Sequence, residues 1–217
     1  ASRSARMNDT LRVSLRHKDS GTTGKGMDRA REILEAARRL FAAEGYAGLS
    51  MRGVAQAVGI NLSSVQHYYR DKDTLVEAVL LYQMDRYQAA VAELETSLAG
   101  AGPEARLRAA LDLFLAEARR PDVGGVFMEI WSLANRHPAA ARVMEQVRRR
   151  ERLQFMQLVH GVAPGLDDAE RTRRARLMIA LIEGLTVQLA GDGDAVTDTE
   201  PLVAAARDAL LRLATGT

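Results

Sequence analysis

The sequence predicts an all-α protein, and three observations support this prediction. Ala, Leu, Arg and Glu, which are good helix formers, dominate the 217 residues. Long runs of β-branched residues are absent, and aromatic residues make up only 5% of the chain. Apolar residues recur at helical spacing in most segments. We therefore expect about nine helices, in which an N-terminal three-helix head with a helix-turn-helix precedes a larger C-terminal helical domain.

The first expected elements are a polar arm and one amphipathic helix. Residues 1–26 carry six Lys or Arg against two Asp, which is typical of a flexible basic arm. From about Met27 to Glu44, five apolar residues between positions 33 and 41 fall on one face of a helix. Gly45 is the expected stop of this helix.

The later segments alternate between helical patterns and turn signals. Helices are expected over about 51–58, 62–68 and 72–97, and Gly and Pro then accumulate in a break at 99–103. Four helices follow this break and one more comes after the loop at 191–194, over about 104–118, 123–135, 138–160, 168–190 and 200–213.

The composition excludes several classes of protein. The chain contains no cysteine, which excludes disulfide scaffolds, thiol catalysis and Cys-ligated metals. Its longest apolar run, Leu177 to Ile182, is too short to span a bilayer. The first 26 residues lack the apolar core of a signal peptide. We therefore expect a cytoplasmic protein without a membrane partner, a cofactor or a metal.

The charge is distributed unevenly along the chain. The net charge is only +2, but residues 1–72 carry 13 Lys or Arg against 7 Asp or Glu, and residues 73–217 carry 17 against 21. A basic N-terminal third on an acidic remainder indicates that this end meets a polyanion.

Residues 50–75 form the pattern that carries the chemistry. Two short helices are predicted, with Ser50 capping the first and Gly59 supplying a positive φ in the turn between them. Ile60 and Val65 would fill the interface between the two helices. The polar side chains that remain on the second helix could reach base edges in a major groove.

The same segment resembles a known family. The sequence reads Ile33-Leu34-x-Ala36-Ala37-x-x-Leu40-Phe41-x-x-x-Gly45-Tyr46, and it continues as Ser50-Met51-Arg52-x-Val54-Ala55-x-x-Val58-Gly59-Ile60-x-x-Ser63-Ser64-Val65-x-x-Tyr68-Tyr69-x-x-Lys72-x-x-Leu75. Over residues 28–80, without a gap, this pattern resembles the TetR family of transcription regulators. Two departures, Gln66 where Tyr is common and Leu62 where a polar residue is common, lie on the expected reading surface.

The resemblance implies a repressor that a small-molecule effector releases from a palindromic operator on double-stranded DNA. The implied division is an arm over 1–26, a helix-turn-helix DNA-binding domain over 27–72, and a ligand-binding and dimerisation domain over 73–217. The implied DNA contacts are Ser50, Met51, Arg52, Ser63, Ser64, Gln66, His67, Tyr68 and Lys72.

The C-terminal half carries a second resemblance. Residues 126–138 and the Arg-rich run at 148–152 resemble the choline-repressor-like (BetI-like) branch of the family. Candidate pocket residues are the aromatic, Met and small polar side chains Phe114, Met128, Trp131, Ser132, Asn135 and Phe155, with ordinary core packing as the alternative. Glu129 is expected to be a solvated surface carboxylate, with pairing to a cationic ligand as the alternative. The Arg148–Arg152 run is expected to be a solvated face paired with Glu145 and Glu151.

Two helices are expected to form a homodimer. Residues 177–190 are apolar nearly all round the helix, so this helix needs cover on more than one side. The last helix carries a second apolar stripe. A four-helix bundle between two subunits would use Leu177, Ala180, Leu181, Gly184, Gln188, Val203, Ala206 and Leu210. Burial inside a single subunit is the alternative.

Two other functions compete with this interpretation. An all-α enzyme or small-molecule carrier is disfavoured because the four histidines lie on different segments, without metal-ligand spacing, and because no G-x-S-x-G turn is present. We therefore expect no catalytic residue. An adaptor that uses the head for protein contacts is the third possibility. The residues leave the effector, the operator and the choice between repressor and activator open.

Overall fold

The computed structural model describes residues 24–191 and 199–216, and within these ranges it contains nine α-helices and no strand. The helices are α1 (Gly24–Gly48), α2 (Met51–Val58), α3 (Leu62–Tyr68), α4 (Lys72–Ser97), α5 (Pro103–Ala118), α6 (Pro121–Ala134), α7 (Pro138–Val162), α8 (Asp168–Gly191) and α9 (Thr199–Thr215). The all-α prediction is confirmed. Most of the predicted arm, over residues 1–23, and the predicted loop at 192–194 lie outside the described residues.

Several helix boundaries differ from the predicted ones by one to four residues, and two of the differences have a clear cause. Helix α1 continues to Gly48, although Gly45 has a non-helical backbone with φ 68° and ψ −174°. The predicted stop is therefore a kink, after which one further turn is added. The helix expected from about residue 123 begins two residues earlier, at Pro121. A proline is compatible with a first helical turn because the N–H that it lacks has no partner there.

Packing divides the described chain into two compact units. Unit 1 comprises residues 24–89 and 125–144, and unit 2 comprises 90–124 and 145–216. The boundaries fall inside α4, α6 and α7. The functional division at residues 26 and 72 is a separate matter and stays a prediction.

Unit 1 contains the helix-turn-helix. Helix α1 packs on α2, and α2 packs on α3. The core is apolar and fully buried, with Ile33 and Phe41 from α1 and Val65 from α3. Arg38 is also buried, where it pairs with Glu35 at 2.8 Å, and Glu35 in turn contacts Arg86 of α4 at 2.9 Å. These contacts join α1 to α4.

Unit 2 is built around α5, α8 and α9, which pack on one another in pairs. Leu111 of α5, Met178 of α8 and Leu210 of α9 are completely buried. Arg207 of α9 adds an ion pair to Asp112 of α5 at 2.8 Å. Among the described residues, no helix combines the length and the apolar character that crossing a membrane requires.

Candidate DNA interface and effector site

The turn between α2 and α3 has the geometry that its sequence dictates. Ser50 caps α2, and its Oγ accepts a hydrogen bond from the Gly53 N–H at 3.0 Å. Gly59 ends α2 in the left-handed conformation, with φ 73° and ψ 34°. A residue with a Cβ would be strained there, whereas glycine is not. The two predictions, a Ser50 cap and a positive φ at Gly59, are confirmed.

Asn61 organises the start of α3. Its Oδ1 accepts hydrogen bonds from the Ser64 N–H at 2.8 Å, the Ser63 hydroxyl at 2.8 Å and the Ser64 hydroxyl at 2.7 Å. The hydroxyl protons of both serines therefore point to Asn61, and only their oxygen lone pairs are left for a base or a phosphate. The sequence pattern placed Ser63 and Ser64 on the reading surface but did not reveal this cap.

Helix α3 separates its two faces completely. Val65 and the following Tyr69 are fully buried. Gln66 and His67 are exposed. The His67 ring lies edge-on to the half-buried Tyr68 ring, with 5.4 Å between the centroids. The polar edge of α3 thus faces away from the core of unit 1.

The remaining predicted DNA contacts lie on α2 and at the start of α4. Arg52 is exposed on α2, and Met51 is half-buried beside it. Lys72 begins α4, and its Nζ lies 4.2 Å above the centroid of the Tyr46 ring. All nine predicted contacts therefore belong to unit 1, on α2, α3 or the residues that flank them.

Asp71 caps the N-terminus of α4. Its Oδ1 accepts the Thr74 N–H at 2.8 Å and the Thr74 hydroxyl at 2.7 Å, and its Oδ2 accepts from Arg70 Nε at 2.8 Å. These bonds, led by the one from the Thr74 backbone, lower the pKa of Asp71 to about 2. The carboxylate is therefore ionised at neutral pH, and it fixes the helix end that carries Lys72.

The six predicted pocket residues divide between the two units. In unit 2, Phe114 and Phe155 are buried and stacked, with ring centroids 4.7 Å apart. In unit 1, Met128 and Trp131 are exposed by 42% and 40%. Ser132 and Asn135 are also exposed. Neither unit by itself encloses these six side chains in one cavity, so the pocket stays a prediction.

The predicted dimer residues also separate into two groups. Leu177, Ala180, Gly184 and Gln188 are exposed on α8, and Leu181 is half-buried. An open groove of about 470 Å³ runs beside this surface, lined by Ala169, Thr172, Arg173, Arg176, Leu177 and Ala180. Val203, Ala206 and Leu210 are buried inside unit 2. The prediction that these three help to form the four-helix bundle between two subunits is wrong, because α9 turns this face towards α5 and α8 of its own subunit.

Two acidic residues were assigned to the wrong environment. Glu129 is not a solvated carboxylate, because its Oε2 accepts a hydrogen bond from the Tyr46 N–H at 2.9 Å. Arg148 of the Arg run is exposed and interacts with Glu151 as expected, but Glu151 itself is half-buried. Burial, together with the charge of Glu183, raises the pKa of Glu151 to about 7, although Arg148 opposes this shift.

The chain matches two families of bacterial regulators. Residues 33–79 match the family described as bacterial regulatory proteins, tetR family. Residues 103–215 match the family described as BetI-type transcriptional repressor, C-terminal. The HTH-type transcriptional regulator BetI of Paraburkholderia phymatum is 30% identical over 182 residues, which cover 83% of this chain and 90% of that protein.

Solved structures share the fold. A TetR transcription regulator from Haloarcula marismortui has a TM-score of 0.73 at 27% identity, covering 88% of this chain and 98% of that chain. A transcriptional regulator from Saccharomonospora viridis, solved in complex with choline, has a TM-score of 0.69 at 21% identity, covering 83% of this chain and 94% of that chain. At this identity the second likeness concerns the fold alone.

Proposed function

The chain belongs to the tetR family of bacterial regulatory proteins, in its BetI-type branch, and on this premise we propose that it is a homodimeric repressor that a small-molecule effector releases from a palindromic operator. The family makes it a DNA-binding transcriptional regulator and not an enzyme. Binding to chromosomal DNA places its proposed action in the cytoplasm. The observation that carries the proposal is the polar, exposed edge of α3 above a fully buried Val65 and Tyr69.

This edge has the chemistry for reading a major groove. Gln66 carries both a donor and an acceptor, so it can pair with adenine through two hydrogen bonds. His67, Ser63 and Ser64 would add single contacts to bases. Base contacts of this kind would set which operator is recognised.

The flanking residues have the chemistry for binding phosphates. Lys72 and Arg52 carry positive charge, and Tyr68 and Ser50 carry hydroxyl groups. Met51 would pack against the sugar-phosphate backbone. Contacts of this kind position the protein on the duplex but carry no sequence information.

A second copy of the chain would supply the other half of the operator contact. Helix α8 exposes Leu177 by 51% and Val187 by 45%, and α9 exposes Leu202 by 42%. Leu177, Ala180, Leu181 and Gly184 recur at helical spacing along α8, and an exposed apolar face of this kind is typical of an interface between subunits. Two copies would place their α3 helices about 34 Å apart, one turn of DNA. Sedimentation equilibrium measures the mass directly, and a monomer at micromolar concentration would contradict the dimer.

The effector is proposed to act on α4. This helix begins beside the DNA contacts in unit 1 and ends in unit 2. A ligand that binds against α4 in the C-terminal domain can therefore also affect the DNA-binding end of the helix. Release requires that the effector binds the two conformations with different affinity. Because a neighbour in fold is complexed with choline, choline and other small quaternary ammonium compounds are the first candidates to add to the operator complex.

The function is tested with operator DNA recovered from the genome by affinity selection. We expect Lys72→Ala to weaken every recovered duplex by a similar factor and to reduce the salt dependence by about one ion. Gln66→Ala should instead change the ranking of duplexes that differ by one base pair, with a cost of about 1–3 kcal/mol at the position that it reads. The measurement is fluorescence anisotropy over a series of salt concentrations.

Matched controls come from exposed residues of unit 2. Arg149→Ala removes a positive charge and Gln157→Ala removes an amide, each on the exposed part of α7. Both should leave the affinity and the ranking of duplexes unchanged. If the wild-type chain enriches no duplex, or if the α3 and α7 variants behave alike, the assignment of α3 as the recognition helix is wrong.

A further inference from the structure

A cluster of polar side chains lies directly behind Lys72. We call Tyr46, Asp73, Glu129 and His137 the Tyr46 cluster, and all four belong to unit 1 together with Lys72. Sequence reasoning assigned none of them to DNA binding. Tyr46 and Gly45 occupy the kinked end of α1, Asp73 follows Lys72 in α4, and Glu129 and His137 come from α6 and the turn after it.

The Tyr46 ring is fixed from two sides. Its hydroxyl donates a hydrogen bond to Asp73 Oδ1 at 2.7 Å, and its backbone N–H donates to Glu129 Oε2 at 2.9 Å. The hydrogen bond to Asp73, with partial burial and the carboxylate charge, raises the pKa of Tyr46. The hydroxyl therefore stays protonated and remains a donor to Asp73 at neutral pH.

The fixed ring is the surface on which Lys72 rests. The Lys72 ammonium lies 4.2 Å from the ring centroid, within the range of a cation–π contact. Such a contact orients the ammonium without neutralising its charge. The full positive charge therefore remains available for a phosphate.

His137 approaches the same carboxylate oxygen. Its Nε2 lies 3.3 Å from Asp73 Oδ1, and its ring centroid lies 6.0 Å from that of Tyr46. Asp73 stands next to Lys72 in the chain, so an unengaged carboxylate there would either pair with the ammonium or repel the DNA backbone. The hydrogen bond from the Tyr46 hydroxyl engages this carboxylate, and the His137 imidazole lies beside the same oxygen, so that the carboxylate is not left to pair with Lys72.

We propose that the Tyr46 cluster positions Lys72 for its phosphate contact, so that α6 and the turn after it set the affinity for DNA through Glu129 and His137. This inference rests on the proposed function, because it requires Lys72 to bind a phosphate. It adds four positioning residues that touch no DNA themselves. A displacement of α6 would withdraw the support from Tyr46 and Asp73 and would weaken the Lys72 contact, while α3 stays in place.

The test is a double-mutant cycle on the full chain. The variants are His137→Ala, His137→Gln, Lys72→Ala and the pair His137→Ala with Lys72→Ala, and the probe is the duplex most enriched by the wild-type protein. We expect His137→Ala to weaken binding about three- to tenfold and to lower the salt dependence, as Lys72→Ala does. In the Lys72→Ala background, His137→Ala should have no further effect.

The glutamine variant separates positioning from general stability. Gln Nε2 can donate to Asp73 from about the position of the histidine Nε2, so His137→Gln should recover most of the affinity. A Tyr46→Leu variant, which removes the ring, should lower the salt dependence as much as Lys72→Ala does. Melting curves by circular dichroism establish that each variant is folded at the assay temperature.

The outcomes distinguish this inference from the proposed function. If the wild-type protein binds no duplex, the proposed function fails. If the wild-type protein binds but the effects of His137→Ala and Lys72→Ala simply add, His137 does not act through Lys72 and the inference is overturned. Loss of binding in His137→Gln equal to that in His137→Ala would also overturn it.

Discussion

At the scale of single residues, position 45 requires a glycine for two reasons, its backbone conformation and the space next to it. Its backbone has φ 68° and ψ −174°, a combination that is open essentially to glycine alone. A Cβ added there would also lie 2.7 Å from Glu129 Oε1. The side chain of Glu129 can therefore reach the Tyr46 N–H only because residue 45 has no side chain.

Gly45→Ala should lower the free energy of unfolding by about 1–3 kcal/mol from backbone strain, and it should also displace Glu129. Gly59→Ala is the matched control, because Gly59 also has a positive φ, of 73°, but its Cβ would meet nothing within 4 Å. Chemical denaturation should show the larger loss for Gly45→Ala. An equal or smaller loss would mean that neither the glycine-only backbone of residue 45 nor the contact with Glu129 adds a cost beyond that of a positive φ.

The contrast between these residues explains what the sequence could predict at this scale. Ser50 and Gly59 serve the backbone within a few positions of themselves, so their roles follow from local rules. Glu129 bonds to a residue 83 positions away, and the half-buried Glu151 lies close enough to Glu183 on another helix for the charge of Glu183 to raise its pKa. Pairings of this kind depend on how the helices pack, and a single sequence gives no distance between them.

At the scale of elements, the N-terminus of α4 depends on its cap. Asp71→Ala removes the acceptor of both Thr74 bonds and should lower the free energy of unfolding by about 1 kcal/mol. Asp71 has a pKa of about 2 in the folded protein against an ordinary value of 3.8. The stabilisation is therefore present above about pH 4 and is lost as the pH falls towards 2.

Denaturation curves of the wild type and of Asp71→Ala at pH 7 and pH 2.5 measure this difference. Asp208→Ala, which removes an exposed carboxylate from α9, is the control and should change stability little at either pH. A difference between wild type and Asp71→Ala that is the same at both pH values would contradict an ionised cap.

Helix α9 shows how far periodicity leads for a whole element. The stripe of Val203, Ala206 and Leu210 was found correctly, and it is buried. Its partner was assigned wrongly, because a stripe shows that a helix face needs cover and not whether the cover belongs to the same subunit. The bounds of α2, α3 and α4 were predicted well because cap residues mark their ends.

At the scale of the whole molecule, the family and the fold could be predicted, whereas the ligand could not. The N-terminal head matches the family pattern without a gap, and its small, aromatic and basic residues each occupy a defined position in the helix-turn-helix. The C-terminal domain needs only a core and a cavity, and many sequences satisfy this requirement. Trp131 and Met128 were therefore proposed for a pocket on residue type alone, and both are exposed by about 40%.

The stability of the molecule should also depend on pH through Glu151. Burial and the nearby Glu183 raise the pKa of Glu151 to about 7 in the folded protein, against an ordinary value of 4.5. The folded state thus holds this proton more tightly than the unfolded state does. The free energy of unfolding should therefore fall as the pH rises from about 4.5 to 7. Above that range the ionisation of Glu151 should lower it no further.

Glu151→Gln keeps the shape of the side chain and removes its charge. We expect the free energy of unfolding of this variant to exceed that of the wild type by about 1–3 kcal/mol at pH 8, with a melting temperature a few degrees higher. Near pH 4.5 the two proteins should be equally stable. Glu145→Gln, on the exposed side of α7, is the control and should show no such dependence. If Glu151→Gln stabilises the protein equally at both pH values, its effect comes from packing, and the surroundings of Glu151 do not raise its pKa.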